Sequence, residues 1–273
     1  KQKQVKFYLV LINFGILNLT PDSFSDGAES NANLDFFLQK TKKLIDIGFD
    51  VIDIGAESTR PGAEVITQKE EWTRLKDFLL NYNLSKPLSL DSFKPETIKN
   101  ALYHSSSIHY INDVTGLQNP DLLYQIAEHA ESFVKLIGMH SKGGVPPSLK
   151  ASEIPDDFYE AEGGLEEDLK CFFYESIKAC KEFRIDESRL ILDLGLGFGK
   201  NLKHSLELIE LIPIIKKEFG LPVMVGASRK SFLRLWKNRV LADWNELDKW
   251  TDEYNSLAVR AGAEYLRSHN KIC

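Results

Sequence analysis

Eight short apolar runs, each ending in a polar, turn-forming cluster, recur along the 273 residues of the chain. The first is GILNLTPDSFSDG at 15–27, which delivers Asn18 at the end of a strand-like segment. It is followed by VIDIGAESTRPG (51–62), LSLDSF (88–93), YINDVTG (110–116), LIGMH (136–140), LILDLGLGFGKN (190–201), VMVGASRKS (223–231) and YLRSHN (265–270). A buried strand that presents polar side chains only at its carboxyl end builds a site rather than a core. Between the runs, apolar residues fall at helical spacing, as at Leu34, Phe37, Leu38, Leu44, Ile45 and Ile47, and again at Leu165, Leu169, Phe172, Ile177, Cys180 and Phe183. Strand and helix alternating in this way predict an α/β fold, a (β/α)8 TIM barrel in one domain over 1–273, close to the roughly 250 residues typical of that architecture. A doubly wound sheet, the alternative, would concentrate its site at one switch point, whereas a barrel gathers polar groups from every strand end at one mouth.

Composition narrows the function classes. With 43% hydrophobic and 27% charged residues the chain has the make-up of an ordinary globular protein. A net charge of −6 argues against a nucleic-acid surface but leaves room for a local cationic cluster that holds a small anion. No apolar run reaches the ~18 residues needed to cross a bilayer, so no membrane role is expected. Cys171, Cys180 and Cys273 have no metal-ligand spacing, and nine residues place Cys171 and Cys180 on opposite faces of a helix. They read as free thiols in a reducing cytoplasm. The basic start followed by FYLVLINFGIL imitates a signal peptide, but no small-residue cleavage site follows, so a first barrel strand is expected there. Residues 141–164, with Gly-Gly, Pro-Pro and acidic clusters, read as a long loop overhanging the mouth. Residues 236–250 read as a connection and helix start on the outer surface.

Taken in order, TPDSFSDG, ESTRPG, DSF, IND, GFGKN and SRKS resemble the dihydropteroate synthase family, and the resemblance runs from 15 to 269. Any one tripeptide is weak evidence; six collinear motifs at predicted strand ends are specific. The resemblance implies a (β/α)8 barrel that joins 6-hydroxymethyl-7,8-dihydropterin diphosphate to p-aminobenzoate, releasing diphosphate and 7,8-dihydropteroate. It also implies Mg2+ as cofactor, sulfonamides as inhibitors, a homodimer and a cytoplasmic location. Because the sequence starts at Lys1 without Met, a fused folate-pathway domain upstream is a further expectation.

A dihydropterin presents an amino group and a ring N–H beside an oxo group, an edge that suits a carboxylate accepting two hydrogen bonds. By resemblance, Asp91 and Asp193 take the polar edges with Asn112, and Lys230 donates to O4 and N5. Met139, Gly226 and Arg267 complete the pterin pocket, with the Arg267 guanidinium stacking on the ring. The two aspartates could instead be helix N-caps. Ser231, Phe198, Thr59, Arg60 and Pro61 are expected to meet p-aminobenzoate. Asn18, Arg267 and His269, on strands that are neighbours in a closed barrel, are expected to hold the diphosphate, with Asn18 also approaching Mg2+. Asp26, Asp91, Asn112 and Lys230 form the implied catalytic group. The loops at 20–27 and 58–62 would close over the mouth and exclude water.

The implied mechanism is dissociative: diphosphate leaves first, cations stabilise its charge, and the arylamine then attacks the methylene carbon. No protein nucleophile is needed, which agrees with cysteines that lie outside every motif. Arg229 is expected to be a structural ion-pair partner. Ala28, Ser268 and Asn270 depart from the family pattern without removing a proposed contact, and 255–258 resembles the start of the last long helix. Two rivals remain. A methyl-transferring pterin barrel would share the aspartates but has no need of SRKS, and a non-catalytic pterin-binding subunit would keep the fold without releasing diphosphate.

Overall fold

The computed structural model describes residues 10–20, 30–58, 63–142 and 149–271. Its strands are β1 (Ile12–Asn18), β2 (Val51–Gly55), β3 (Leu88–Asp91), β4 (Ile108–Asp113), β5 (Lys135–Met139), β6 (Leu190–Asp193), β7 (Val223–Val225) and β8 (Tyr265–Ser268). They pair in parallel, in sequence order, and β8 returns to β1 to close a barrel, as the eight apolar runs predict. The helices α1 (Ser30–Asp46), α2 (Gln68–Asn81), α3 (Pro95–His104), α4 (Pro120–His129), α5 (Leu165–Glu182), α6 (Leu202–Phe219), α7 (Phe232–Trp236) and α8 (Trp244–Ala261) connect them.

Side chains alternate between the two faces of a strand, so residues two apart share the barrel interior. Phe14, Val51, Ile137, Ile191 and Met224 form a buried apolar layer across it, with Tyr110 and Tyr265 packed edge-on against Phe14. Two residues further along the same strands the chemistry changes: Ile16 and Asp53 are register partners, and Arg267 follows Tyr265. Asn112, Met139 and Asp193 stand at that same step, two residues beyond Tyr110, Ile137 and Ile191, and Asn18 and Asp91 stand one step higher, at the ends of β1 and β3. Asp91 pairs with Asn112 and Met139 with Asp193 in strand register. The apolar layer fixes the barrel's width; the polar layers above it are free to carry function.

The stretch 236–250, read as a connection and helix start, holds the start of the last helix at Trp244, where Asp243 and Glu246 form a reciprocal capping box, so 255–258 lies inside that helix rather than at its start. Of the 141–164 stretch, the described part contains two 3-10 turns, Ala151–Glu153 and Glu160–Glu162, and buries Tyr159, whose hydroxyl donates to Gly199 O at 2.8 Å. The stretch is thus pinned against the β6–α6 connection.

Candidate active site

A cavity of about 870 Å³ opens at the carboxyl ends of the strands. Its lining includes Asn18, Asp53, Asp91, Phe198, Gly226, Lys230, Ser231, Arg267 and His269. Asn112 and Asp193 sit fully buried at its base. Met139, also buried, packs in a small apolar cluster with Val114, Phe198 and Phe93 beside the cavity rather than on its lining. Asp26, Thr59, Arg60 and Pro61 lie outside the described residues.

The base is a chain of charges. Asn112 Nδ2 donates to Asp91 Oδ1 at 3.0 Å. Arg267 Nη2 lies 3.4 Å from Asp193 Oδ2, and its Nη1 lies 3.6 Å from Asp53 Oδ2. Asp193 also accepts from Gly195 N at 2.9 Å, an Asx turn that aims its carboxylate inward. Neither aspartate caps a helix: α3 starts after Lys94, and Asn201 caps α6. Burial, reinforced by the neighbouring Asp53 carboxylate, pushes Asp91 up to about 7, while Arg267 and Lys230 pull the other way. Asn112 Oδ1 is buried without a hydrogen-bond partner among the described residues, an acceptor left unused.

Arg267 lines the cavity. It is deeply buried and braced between Asp53 and Asp193, so it serves as the floor of the cavity rather than only as an arm above it. Asp53 is a site residue that motif reasoning passed over. It lies inside the apolar run VIDIG, where a lone carboxylate in mid-strand is the available signal, since a buried charge requires a partner.

Above the floor, Lys230 Nζ stands 4.4 Å from the centre of the Phe198 ring, and the Lys230 stem packs against Gly197. His269 Nδ1 and Ser228 Oγ are 3.0 Å apart, and the His269 backbone N–H donates to the same hydroxyl, which links β8 to the β7–α7 turn. Arg229 makes two hydrogen bonds to Asp248, at 2.8 and 2.9 Å, the ion-pair role expected of it. Glu57 accepts from Ile66 N at 2.9 Å and pairs with Lys94 at 2.8 Å, so residues on either side of 59–62 are tied together.

Behind Phe198 runs a second buried chain. Lys200, with no solvent exposure, contacts His140 Nδ1 at 2.8 Å and donates to Phe198 O at 3.1 Å; His140 Nε2 lies 2.7 Å from Asp168 Oδ2. Burial drives Lys200 down to about 7, and burial, with the Lys200 charge, drives His140 down to about 4. The imidazole is therefore neutral at pH 7. The loop passes so close to β5 that a Cβ on Gly195, at φ +68°, would lie 1.7 Å from His140 O.

For a metal, Asn18 offers one neutral amide oxygen at the mouth. Among the described residues no group of three or more His, Cys, Asp or Glu side chains could hold an ion. That donor set builds no dedicated cage; it fits a hard ion such as Mg2+ that arrives with substrate phosphates and keeps several waters.

A closed barrel whose base offers carboxylates and an amide, and whose mouth offers Lys and His, defines a receptor for a flat heterocycle with an anionic tail. The chain belongs to the pterin binding enzyme family, whose sequence model matches residues 14–269. Its relatives within that family include dihydropteroate synthases. It is 31% identical over 261 residues to the dihydropteroate synthase of Synechocystis, covering 94% of this chain and 84% of the relative. Among solved structures, the dihydropteroate synthase of Anaplasma phagocytophilum with bound 6-hydroxymethylpterin-monophosphate is 34% identical, with a TM-score of 0.81 over 96% of this chain and 94% of that one. The Yersinia pestis dihydropteroate synthase in a sulfonamide drug complex is 33% identical, with a TM-score of 0.81 over 95% and 89%. No helix among the described residues is long and apolar enough to cross a membrane.

Proposed function

We propose that this chain is a dihydropteroate synthase: it condenses 6-hydroxymethyl-7,8-dihydropterin diphosphate with p-aminobenzoate to give 7,8-dihydropteroate and diphosphate. The observation that carries the reading is the set of acceptors at the cavity base, Asp91, Asp193 and the unpartnered Asn112 Oδ1, which matches the donor-rich edge of a pterin.

The residues divide the work by height. Asp91, Asn112 and Asp193 orient the pterin, and Arg267 braces the Asp193 and Asp53 carboxylates beneath it. Lys230, over the Phe198 ring, donates to O4 and N5 of the pterin. Ser231 and Phe198 hold p-aminobenzoate together with Thr59, Arg60 and Pro61. Asn18, His269 and Arg267 receive the diphosphate, and Asp26 joins Asp91, Asn112 and Lys230 at the reacting centre. Mg2+, when bound with the substrate, supplies charge neutralisation for the leaving group beside Asn18. The carbon–oxygen bond to diphosphate breaks with its electron pair, the arylamine nitrogen forms the new carbon–nitrogen bond, and the amine proton passes to the departing diphosphate and leaves with it. Closing the mouth excludes water from the cation formed in between. Catalysis is thus positioning and electrostatics rather than covalent attack.

A sulfonamide that mimics p-aminobenzoate would occupy the Ser231 and Phe198 end. Two copies per assembly belong to this reading, supported by exposed Val240 and Leu241 in the α7–α8 connection and Trp244 at the start of α8. The free thiols Cys171 and Cys180 suit a cytoplasmic location. The test is chromatography of the purified chain incubated with both substrates and Mg2+. Dihydropteroate must appear; a chain that binds the pterin diphosphate and forms none is a non-catalytic pterin-binding protein instead.

A further inference from the structure

Side chains alternate along β2, so Val51, Asp53 and Gly55 share its interior face. Asp53 is buried on the cavity lining, and its Oδ1 has no hydrogen-bond partner among the described residues. Its Oδ2 lies 3.6 Å from Arg267 Nη1. Gly55, the next interior position, brings no side chain, and a Cβ there would lie 3.3 Å from Asp91 Oδ2. The Asp91 carboxyl therefore leans across from β3 into the space that a β2 side chain would fill, on the step above Asp53.

These carboxyls share too few cations. Asp91 faces Asp53 from β2 and Glu71 from α2, against Arg267 from β8 and Lys230 from the β7–α7 turn. Asp53 faces Asp193 from β6 and its register partner Ser89 on β3, with Arg267 as its cation. Arg267 is thus common to Asp53, Asp91 and Asp193, and its guanidinium already spans two of them. Buried carboxyls that crowd around one shared counter-charge keep a proton rather than ionise together. Burial raises both Asp53 and Asp91, in line with that crowding.

We infer that Asp53 is a positioning residue for the pterin and acts through its two neighbours: it braces Arg267 beneath Asp193, and in the empty site it keeps one proton shared with Asp91 that the pterin must displace. The inference rests on the reading of the floor as the pterin site. A pterin amino group or ring N–H donates to an ionised oxygen, so the carboxyl proton passes to solvent as the ring settles and the pterin keeps its own protons. Affinity then falls as pH drops below about 7, because the proton competes with the ligand. Without the Asp53 charge, Asp91 ionises at lower pH and the competition leaves the neutral range.

The test is calorimetric binding of 6-hydroxymethyl-7,8-dihydropterin, which has no leaving group and cannot react. It is run anaerobically from pH 6 to 8, each point in two buffers of different ionisation enthalpy, so that released protons are counted. Wild type should bind about tenfold more weakly at pH 6 than at pH 8 and release about one proton at pH 6. Asp53→Asn keeps an amide oxygen for Arg267. It should match wild type at pH 8 within about threefold, vary less than about threefold across the range and release almost no proton. Asp53→Ala removes the brace as well and should bind about tenfold more weakly than Asp53→Asn at every pH. Proton release that survives in Asp53→Asn, or a wild type that releases none, overturns the inference. So does an affinity loss in Asp53→Asn that is the same at every pH, the mark of a merely structural residue. Infrared spectra at pH 6 give a second reading: the unliganded wild type should show one protonated carboxyl more than Asp53→Asn, and pterin should erase it. That erasure is read on wild type alone if a variant fails to fold, and its absence contradicts the shared proton. A wild type that binds no pterin sinks the functional reading separately, and the infrared difference between the unliganded proteins still decides the pair.

Discussion

Asp91 and Asn112 are register partners on β3 and β4, and the hydrogen bond of 3.0 Å between their side chains spans neighbouring strands at the level where the barrel opens. Strand pairing therefore sets the spacing of two groups that read the pterin. It also holds a carboxylate where burial and Asp53 make ionisation costly.

That cost has a sign. A carboxyl raised to about 7 in the fold and near 4 when unfolded binds its proton more tightly in the native state, so its contribution to stability is fully present below about pH 4 and is lost as pH rises to 7. Glu71, Asp53, Arg267 and Lys230 face the same group. Asp91→Asn should raise Tm at pH 7.5 by a few degrees and lower turnover by about 100-fold. A variant less stable than wild type at that pH, measured by calorimetry, contradicts the assignment. In the wild type, pterin affinity should strengthen as pH rises through 7.

Arg267 neutralises two buried carboxylates at once. Arg267→Met should cost about 3–5 kcal/mol, since Asp193 and Asp53 remain behind without a counter-charge. Denaturant unfolding measures it. A cost under about 1 kcal/mol would mean that Arg267 belongs to the ligand rather than to the floor.

The strand ends were legible because a polar cluster directly after an apolar run marks the point where a buried strand reaches the barrel mouth; Asn18, Asp91, Asn112 and Asp193 all stand at or next to a barrel-strand terminus. Asp53 was hidden within such a run, where pattern alone shows a strand and not a partner one strand away. The Asp168, His140 and Lys200 chain was equally hidden, because only the barrel brings those three positions together. The start of α8 was readable in principle from the Asp243 and Glu246 capping box. The reading of 236–250 as a connection and helix start contains that position, whereas the motif at 255–258 falls within the helix.

Lys200→Met should leave His140 Nδ1 and Phe198 O unpaired, costing about 1–3 kcal/mol each. The loop that carries Phe198 would loosen, so the KM for p-aminobenzoate should rise more than the Kd for the pterin diphosphate. Equal changes in both would assign Lys200 to general stability alone.

His140 has its pKa depressed by burial to about 4, so the unfolded chain takes up a proton that the fold refuses. Its share of stability is present above the unfolded value near 6.5 and is lost as pH falls from there towards 4. His140→Gln should flatten the acid limb of a plot of Tm against pH; an unchanged limb would remove His140 as its source.

The most direct measurement counts diphosphate and dihydropteroate together in single time courses with Mg2+, p-aminobenzoate being present or withheld. Equimolar release of the two products with the acceptor, and neither in Asp193→Asn, is the predicted result. Diphosphate release from wild type that never yields dihydropteroate, or full activity in Asp193→Asn, would contradict a pterin site built on these strand ends.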